Sequence, residues 1–282
     1  MPDHRRAGIA LDAGLLKRVA SASVLAPIAL VLVYLGGWSY LALIAIAAVL
    51  MAWEWGRMQP SDPEGKRVGS AAGWLAGITT VAAVIVAGQG QPSLAIALVA
   101  IASGLCALLA RRLRASRFAA SAGILYLGLP AIAMMWLRAL PDIGLPITVA
   151  LLVVIWATDI FAYLVGRQVG GPRLAPSISP RKTWSGLGGG IAGAAAVGIG
   201  AILFVADQGS VVGAIVLAGV VAVIAQVGDL FESAIKRRAG CKDSSDLIPG
   251  HGGVLDRLDG LLFAAPLVAL VLIVFGRNIL PW

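Results

Sequence analysis

The sequence predicts an all-α polytopic membrane protein, and three observations carry that prediction. The 282-residue chain is 59% hydrophobic and only 13% charged, about half the charged share of an average soluble domain. Its apolar runs reach roughly 20 residues, the length that crosses the hydrocarbon core of a bilayer. Its basic residues fall almost entirely in alternate segments between those runs. This pattern is typical of a protein that crosses a membrane many times.

Apolar runs divide the chain into about nine predicted transmembrane helices. The first run leads directly into further spans, so we expect a first transmembrane helix rather than a cleaved leader. Pro27 and Pro130 lie inside spans, where proline can kink a helix. The predicted spans are 20–36, 38–57, 69–88, 92–110, 118–138, 145–166, 186–206, 211–230 and 260–277.

Charge bias predicts the orientation. If the N-terminus is cytoplasmic, all of the 22 lysines and arginines except Arg138 and Arg277 lie in cytoplasmic segments. Such asymmetry favours an odd number of spans with the N-terminus inside. The net charge of +8 is then explained by topology and contact with anionic lipid, without a nucleic-acid partner. We therefore expect a multi-pass membrane protein.

Loop lengths predict two regions. Residues 1–140 hold about five spans and form an N-terminal transmembrane region, and residues 141–282 form a C-terminal catalytic region. The second region contains two long cytoplasmic loops, at 167–185 and 231–259. Long irregular segments in a compact protein are usually functional. The chain shows no internal repeat, which weakens a transporter interpretation.

Acidic residues inside spans are the first candidates for function. Asp159 falls within the sixth span, where a lipid-facing charge costs about 2.5–3.5 kcal/mol on insertion scales. It should therefore face the bundle, on the same helix face as Trp156, Tyr163 and Arg167. The alternative is a hydrogen bond between helices that only fixes packing.

The end of the eighth span carries a second polar face. Gln226, Asp229, Ser233 and Lys236 are spaced by three and four residues and share that face. The buried carboxylate of Asp229 needs a cation nearby. Glu232 lies off the face, and its simpler role is an ion pair with Lys236 one helical turn away.

The segment PGHGGVLDRLDG combines glycines with acids at the start of the ninth span. Asp256 and Asp259 share a face of the first turn, where acids also complement the helix dipole. Gly252 and Gly253 allow close backbone approach and can turn N–H groups toward an anion. Carboxylates beside such a loop suit magnesium. His251 lacks partners for a zinc site, so a phosphate contact or a structural hydrogen bond is expected.

The segment SISPRKTWSGLGGG, residues 177–190, resembles an anion site by composition. It places Arg181 and Lys182 with the hydroxyls of Ser179 and Thr183 before a glycine-rich helix start. It is not a Walker A loop, because GxxxxGK[ST] is absent. The alternative is a basic cytoplasmic loop followed by a helix whose small residues allow close packing.

These pieces converge at one membrane boundary. Acids that can hold metal and bases that can hold phosphates define phosphoryl or nucleotidyl transfer. The position at the lipid interface implies one lipid substrate and one water-soluble substrate.

The run from Ser233 to Gly260 resembles the signature of the phosphatidate cytidylyltransferase (CDP-diacylglycerol synthase) family. That signature has a serine, a Lys-Arg pair, Lys-Asp, His-Gly-Gly and Asp-Arg-x-Asp, in this order. The segments SPRKTW and QVGDL upstream also resemble the family. The resemblance covers roughly residues 154–260. The elements present here are Ser233, Lys236, Arg237, Lys242, Asp243, His251, Gly252, Gly253, Asp256, Arg257 and Asp259.

The resemblance implies transfer of CMP from CTP to phosphatidic acid, giving CDP-diacylglycerol and pyrophosphate in phospholipid biosynthesis. It also implies a homodimer, and magnesium with a second cation such as K⁺ held between Asp229 and Asp256. The catalytic set that it implies is Asp229, Asp256, Lys242, Asp243, Asp259 and Arg257. The implied substrate- or phosphate-binding set is Ser179, Lys182, Thr183, Ser233, Lys236, Arg237, His251, Gly252, Gly253 and Asp159.

Three other classes of membrane protein fit the sequence less well. Alcohol phosphatidyltransferases also carry a pattern like DRLDG, but they require further acids downstream, and no charge follows here before Arg277. A CTP-dependent polyprenol kinase should not carry the full signature. A cation transporter would place Asp159, Asp229 and Asp256 near the bilayer midplane rather than at one edge.

Overall fold

A computed structural model describes residues 13–59, 68–112, 117–205 and 210–276. Nine α-helices lie within these ranges, and they follow the order of the predicted spans. Their bounds are α1 Ala13–Leu35, α2 Gly37–Met58, α3 Val68–Gly88, α4 Pro92–Arg112, α5 Arg117–Ala139, α6 Gly144–Val169, α7 Trp184–Val205, α8 Val211–Arg238 and α9 Leu255–Phe275.

Six of the helices are long and apolar enough to cross a membrane: α2, the Ala71–Gly88 part of α3, the Ser121–Ala139 part of α5, α6, α8 and α9. Shorter apolar segments lie in α1 and α4, at Ala20–Leu35 and Pro92–Leu108. The molecule is therefore a helical, multi-pass membrane protein. The number of spans and the cytoplasmic N-terminus stay predictions.

The loop expected at 231–259 is shorter than predicted, and the predicted bounds were wrong. Helix α8 continues to Arg238 and α9 begins at Leu255, which leaves residues 239–254 as the loop. The error arose because hydropathy was taken as the helix limit. Polar turns extend α8 beyond its apolar stretch, and an ion pair between Glu232 and Lys236 supports one of them.

The other long loop contains a small sheet. Strands β1 (Arg173–Ala175) and β2 (Ser179–Thr183) pair antiparallel, with Arg173 opposite Thr183. In the described part of the chain, the named elements are thus helices apart from this hairpin, which the sequence analysis did not predict. The hairpin lies between the end of α6 and the start of α7 and carries several basic side chains to that end of the bundle.

Glycines allow α6 and α7 to pack closely. A Cβ added at Gly189 would lie 2.5 Å from Val165 Cβ, and one at Gly190 would lie 3.0 Å from the carbonyl oxygen of Thr158. The small-residue packing weighed for this helix is therefore present.

An aromatic cluster connects the N-terminal helices to the C-terminal ones. Trp55 on α2, Tyr126 on α5 and Phe231 on α8 are linked by ring-centroid distances of 5.5 and 5.3 Å. Phe263 on α9 lies 5.3 Å from Phe231. Helices of the two predicted regions thus share a core, while the division at residue 140 stays a prediction.

Candidate active site

One end of the bundle holds a polar cavity of about 770 Å³. It lies where α6 and α8 end, where α7 and α9 begin, and beside the β1–β2 hairpin. Carboxylates and cations face each other across it. The acids lining it are Asp159, Asp229, Asp243, Asp256 and Asp259, and the cations are Arg167, Arg173, Arg181, Lys182, Lys236 and Arg257.

Asp256 is the most heavily bonded of these acids. Its Oδ2 accepts hydrogen bonds from the backbone N–H of Gly253 at 2.8 Å, and from the N–H and hydroxyl of Ser244 at 2.9 Å each. Its Oδ1 lies 2.5 Å from Lys236 Nζ. The residue is 9% exposed. Asp256 therefore closes the 239–254 loop onto the first turn of α9.

Lys236 joins two buried carboxylates. Besides Asp256, its ammonium contacts Glu232 Oε2 at 2.8 Å. The predicted ion pair between Glu232 and Lys236 is confirmed. A lysine buried between two acids stays charged, because each acid offsets part of its desolvation cost.

Asp229 has the cation that its burial required. Lys182 Nζ, from strand β2, lies 2.5 Å from Asp229 Oδ2. Ser233, one helical turn further along α8, donates a hydrogen bond to Asp229 Oδ1 at 3.2 Å. The predicted polar face of α8 is therefore present, and the basic hairpin reaches it.

Asp159 and Asp259 complete the acidic wall. Gln226 donates a hydrogen bond from Nε2 to Asp159 Oδ1 at 3.3 Å, which joins α8 to α6. Asp259 Oδ1 accepts from the N–H of Gly260 at 2.7 Å. Gly228 on α8 allows α9 to pack closely there, since a Cβ on Gly228 would lie 2.5 Å from the carbonyl oxygen of Asp259.

Glu54 belongs to this end of the bundle, and the sequence analysis missed it. It comes from α2 and is fully buried. Its carboxylate accepts hydrogen bonds from the Ser245 hydroxyl and from the N–H groups of Val254 and Leu255. The signal that could have found it is the one applied to Asp159, a single acid in an apolar helix.

The glycines of the HGG segment approach carboxylates. A Cβ on Gly252, whose φ is +83°, would lie 2.8 Å from Asp256 Oδ2. A Cβ on Gly253 would overlap the Ser244 hydroxyl and the Glu54 carboxylate. Close backbone approach, the reason for expecting glycine here, is thus found. The anions approached are side chains of the protein, and phosphate binding by these glycines stays a prediction.

A second cavity, of about 610 Å³, is lined almost entirely by residues of the 239–254 loop. Asp243 and Arg257 line both cavities, whereas Lys242, His251 and Gly252 line the second. His251 Nδ1 is 2.7 Å from the hydroxyl of Ser21 on α1. This contact agrees with the structural hydrogen bond that was one of the two roles expected for His251.

Four further residues of the predicted substrate- or phosphate-binding set also make contacts within the protein. Thr183 accepts a hydrogen bond from the N–H of Gly186 at 3.0 Å and so caps the start of α7. Arg237 donates to the carbonyl oxygen of Ile178 at 3.2 Å and thereby holds the hairpin. Ser179 begins β2, and Ser233 bonds Asp229. Of these four, Thr183 lines the larger cavity.

Two cavity cations were also missed. Arg167 and Arg173 line the larger cavity, although neither was in the predicted substrate- or phosphate-binding set and Arg167 was placed only on the polar face that it shares with Asp159. Arg167 donates a hydrogen bond to the Tyr163 hydroxyl at 2.8 Å, as their predicted common face allows.

In the 239–254 loop, burial raises the pKa of the Cys241 thiol, which keeps its sulfur protonated near neutral pH.

Comparison with known proteins places the chain in a family. The model of the cytidylyltransferase family matches residues 16–275. The chain belongs to this family. It is 37% identical over 264 residues to the phosphatidate cytidylyltransferase of Brucella suis biovar 1 (strain 1330), covering 94% of this chain and 95% of the relative.

Other relatives carry the same name. The phosphatidate cytidylyltransferase of Pseudomonas aeruginosa is 36% identical over 270 residues, or 91% of this chain and 96% of the relative. That of Haemophilus influenzae is 44% identical over 131 residues, or 45% of each chain. The predicted resemblance is confirmed.

The donor set of this cytidylyltransferase-family site is chemically suited to a divalent cation. Asp229 and Asp256 line one cavity, and each already holds an ammonium group through one carboxylate oxygen. Among the described residues, no group of three or more His, Cys, Asp and Glu is arranged as a ready metal cage. Magnesium is often held by one or two carboxylates together with substrate phosphates, so these two acids fit that mode of binding.

Proposed function

We propose that this protein transfers CMP from CTP to phosphatidic acid, giving CDP-diacylglycerol and pyrophosphate in phospholipid biosynthesis. The family match along almost the whole chain carries this proposal. The cavity supports it, because paired acids and a surplus of cations suit a reaction between two phosphate compounds.

The reaction needs little covalent help from the protein. A phosphate oxygen of phosphatidate attacks the α-phosphorus of CTP, the new O–P bond forms, and the bond from the α-phosphorus to the bridging oxygen breaks. Pyrophosphate leaves with the electron pair of that bond. A phosphate monoester is already largely anionic at neutral pH, so the attacking oxygen requires no general base. Positioning and charge stabilisation therefore dominate.

The cavity cations would supply that stabilisation. Lys182, Lys236 and Arg257 line the same cavity as the acids. When CTP enters, its phosphates compete with the carboxylates for the two lysines. We expect Lys182 to exchange Asp229 for a phosphate oxygen, and Lys236 to do the same from Asp256.

Asp229 and Asp256 would then be free to hold magnesium, with a second cation such as K⁺ proposed beside it. Bound there, the metal would neutralise charge on the reacting and leaving phosphates. The lysines would stay within reach of the same phosphates. The protein contribution is thus an exchange of ion-pair partners within a fixed cavity.

Lipid access is supported by two exposed aromatic side chains, one that lines the cavity and one that directly follows a lining residue in sequence. Tyr163 lines the cavity and is 62% exposed, and Trp184 at the start of α7 is 58% exposed. Tyrosine and tryptophan are enriched where a membrane protein meets the headgroup region. We propose that phosphatidate enters here from the cytoplasmic leaflet of the bacterial inner membrane, and that the enzyme is a homodimer.

The proposal is tested by release of pyrophosphate from CTP by purified protein in detergent micelles. With magnesium and phosphatidate present, we expect turnover that stops when phosphatidate is replaced by diacylglycerol, which lacks the attacking phosphate. Pyrophosphate release that does not depend on phosphatidate, or that is absent in an otherwise folded preparation, would contradict the proposal.

A further inference from the structure

Glu54, on α2 in the N-terminal part of the chain, binds the 239–254 loop and the first residue of α9. Its Oε1 accepts the Ser245 hydroxyl at 2.6 Å and the Val254 N–H at 2.9 Å, and its Oε2 accepts the Leu255 N–H at 2.7 Å. The side chain is 0% exposed. All three partners are donors, so both carboxylate oxygens are used as acceptors.

Glu54 and Asp256 bind neighbouring residues on both sides of the loop. Asp256 accepts from Ser244 and Gly253, and Glu54 accepts from the residues that immediately follow each of them, Ser245 and Val254. Each carboxylate thus ties the beginning of the loop to its end. If one of the two carboxylates is removed, the other alone connects the beginning of the loop to its end.

The contact also fixes the start of α9. Val254 precedes the first residue of this helix, and Leu255 is that residue. The N–H groups of a first helical turn have no partner within the helix. The N-terminus is also the positive end of the helix dipole, which attracts a carboxylate. Glu54 therefore sets the position from which Asp256, in the first turn of α9, reaches the cavity.

A glutamate is required by this arrangement rather than merely tolerated. A buried acid in an apolar helix costs free energy unless hydrogen bonds compensate it. Gln at the same position would keep the size but present an NH₂ group to one of three donors. Gly253 is also matched to Glu54, because a Cβ there would overlap the carboxylate.

We propose that Glu54 is a positioning residue for cytidylyl transfer, acting through the 239–254 loop on Asp256. This inference rests on the proposed function for its kinetic consequence, while its structural part stands on the contacts of Glu54 alone. Its experiment therefore has one readout that needs no activity and one that does.

The first readout is hydrogen–deuterium exchange of full-length protein in lipid nanodiscs. In Glu54→Gln, peptides covering residues 242–256 should exchange at least about tenfold faster, since charge-assisted hydrogen bonds are lost. Peptides from α6 and α7 should exchange as in the wild type. Thr148→Val is the matched control. It removes a buried hydroxyl bond within α6, from Thr148 to the carbonyl oxygen of Gly144, and should leave residues 242–256 unchanged.

The second readout is the split between kcat and KM. In Glu54→Gln, kcat should fall at least about tenfold, while the KM for phosphatidate stays within about twofold, because Glu54 contacts the loop and not the two exposed aromatic side chains. Thr148→Val should keep kcat per folded molecule. Adding Ser245→Ala to Glu54→Gln should lower kcat little further, because the two residues are partners in one contact.

Two results would overturn the inference. One is unchanged exchange of residues 242–256 in Glu54→Gln, and the other is faster exchange with unchanged kcat. If Glu54→Gln does not fold, Ser245→Ala alone carries the test, with the same two contradicting results on a smaller scale. A wild type without cytidylyltransferase activity would instead contradict the proposed function, and the exchange result would still decide whether Glu54 anchors the loop.

Discussion

Lys236 Nζ lies 2.5 Å from Asp256 Oδ1, so the acid predicted to bind metal is paired with a lysine from the preceding helix. The same arrangement recurs at Asp229, which Lys182 contacts at 2.5 Å. Each of the two acids thus forms an ion pair with a lysine. This limits repulsion among the acids that line the cavity, and it places the two lysines in the cavity proposed to bind the phosphates.

Replacing Lys236 tests the buried ion pair. Lys236→Gln should lower the free energy of unfolding by about 3–5 kcal/mol, because it leaves Glu232 and Asp256 as buried acids without their cation. Arg238→Gln, on the exposed last turn of the same helix, should change stability by less than about 0.5 kcal/mol. Denaturant unfolding in mixed micelles measures both. Equal stability of the two variants would contradict the role given to Lys236.

Asp229 and Asp246 form a matched pair for the chemistry. Asp229→Asn should lower kcat by roughly 10²–10³-fold, as expected when charge stabilisation of the transition state is lost. Asp246→Asn should stay near wild-type activity, because Asp246 is exposed and lines the second cavity. Steady-state formation of CDP-diacylglycerol compares the two. Loss of activity in both variants would indicate a general charge effect rather than a site at Asp229.

Adjacent glycines of α7 test the packing against α6. Gly189→Ala should destabilise the protein by about 1–3 kcal/mol through overpacking, because its Cβ would lie 2.5 Å from Val165 Cβ. Gly188→Ala has no atom within 4 Å of the added Cβ, and should be neutral or stabilising by up to about 1 kcal/mol. Thermal unfolding followed by intrinsic fluorescence distinguishes them, and an equally destabilised Gly188→Ala would argue against this packing.

Metal removal tests the proposed role of Asp229 and Asp256. Treatment with EDTA should abolish CMP transfer, and added Mg²⁺ should restore it, while unfolding of the protein stays cooperative throughout. Asp256→Asn should need a higher Mg²⁺ concentration for half-maximal activity wherever activity remains measurable. Full activity in the presence of chelator would refute the metal proposal.

Much of the fold followed from simple patterns. Apolar length located, in order, the nine helices that lie within the described residues, because a membrane span must satisfy its backbone internally and admits few alternatives. The predicted end of α8 and the predicted start of α9 were wrong because the polar residues there are helical. The hairpin at 173–183 was missed because its proline- and arginine-rich sequence lacks the apolar alternation of a strand.

The residues that make up the site were predicted better than the contacts between them. Helical spacing placed Asp229, Ser233 and Lys236 on one face, as observed. No spacing rule could pair Lys182 with Asp229, since the contact joins a hairpin to a distant helix. The partners of Glu54 escape spacing rules for the same reason, although Glu54 itself could have been singled out as the one acid in an apolar helix. It is 200 residues from Val254 in sequence, and it lies in the region that resembled the family only as generic membrane helices.

The position of the label transferred from CTP distinguishes cytidylyl transfer from phosphorylation. Purified protein is incubated with phosphatidate or with a polyprenol, using CTP labelled at either the α- or the γ-phosphate. We predict that α-label enters the phosphatidate product as CDP-diacylglycerol, that γ-label leaves as pyrophosphate, and that polyprenol accepts neither. Transfer of γ-label to polyprenol would show a kinase and would contradict the account.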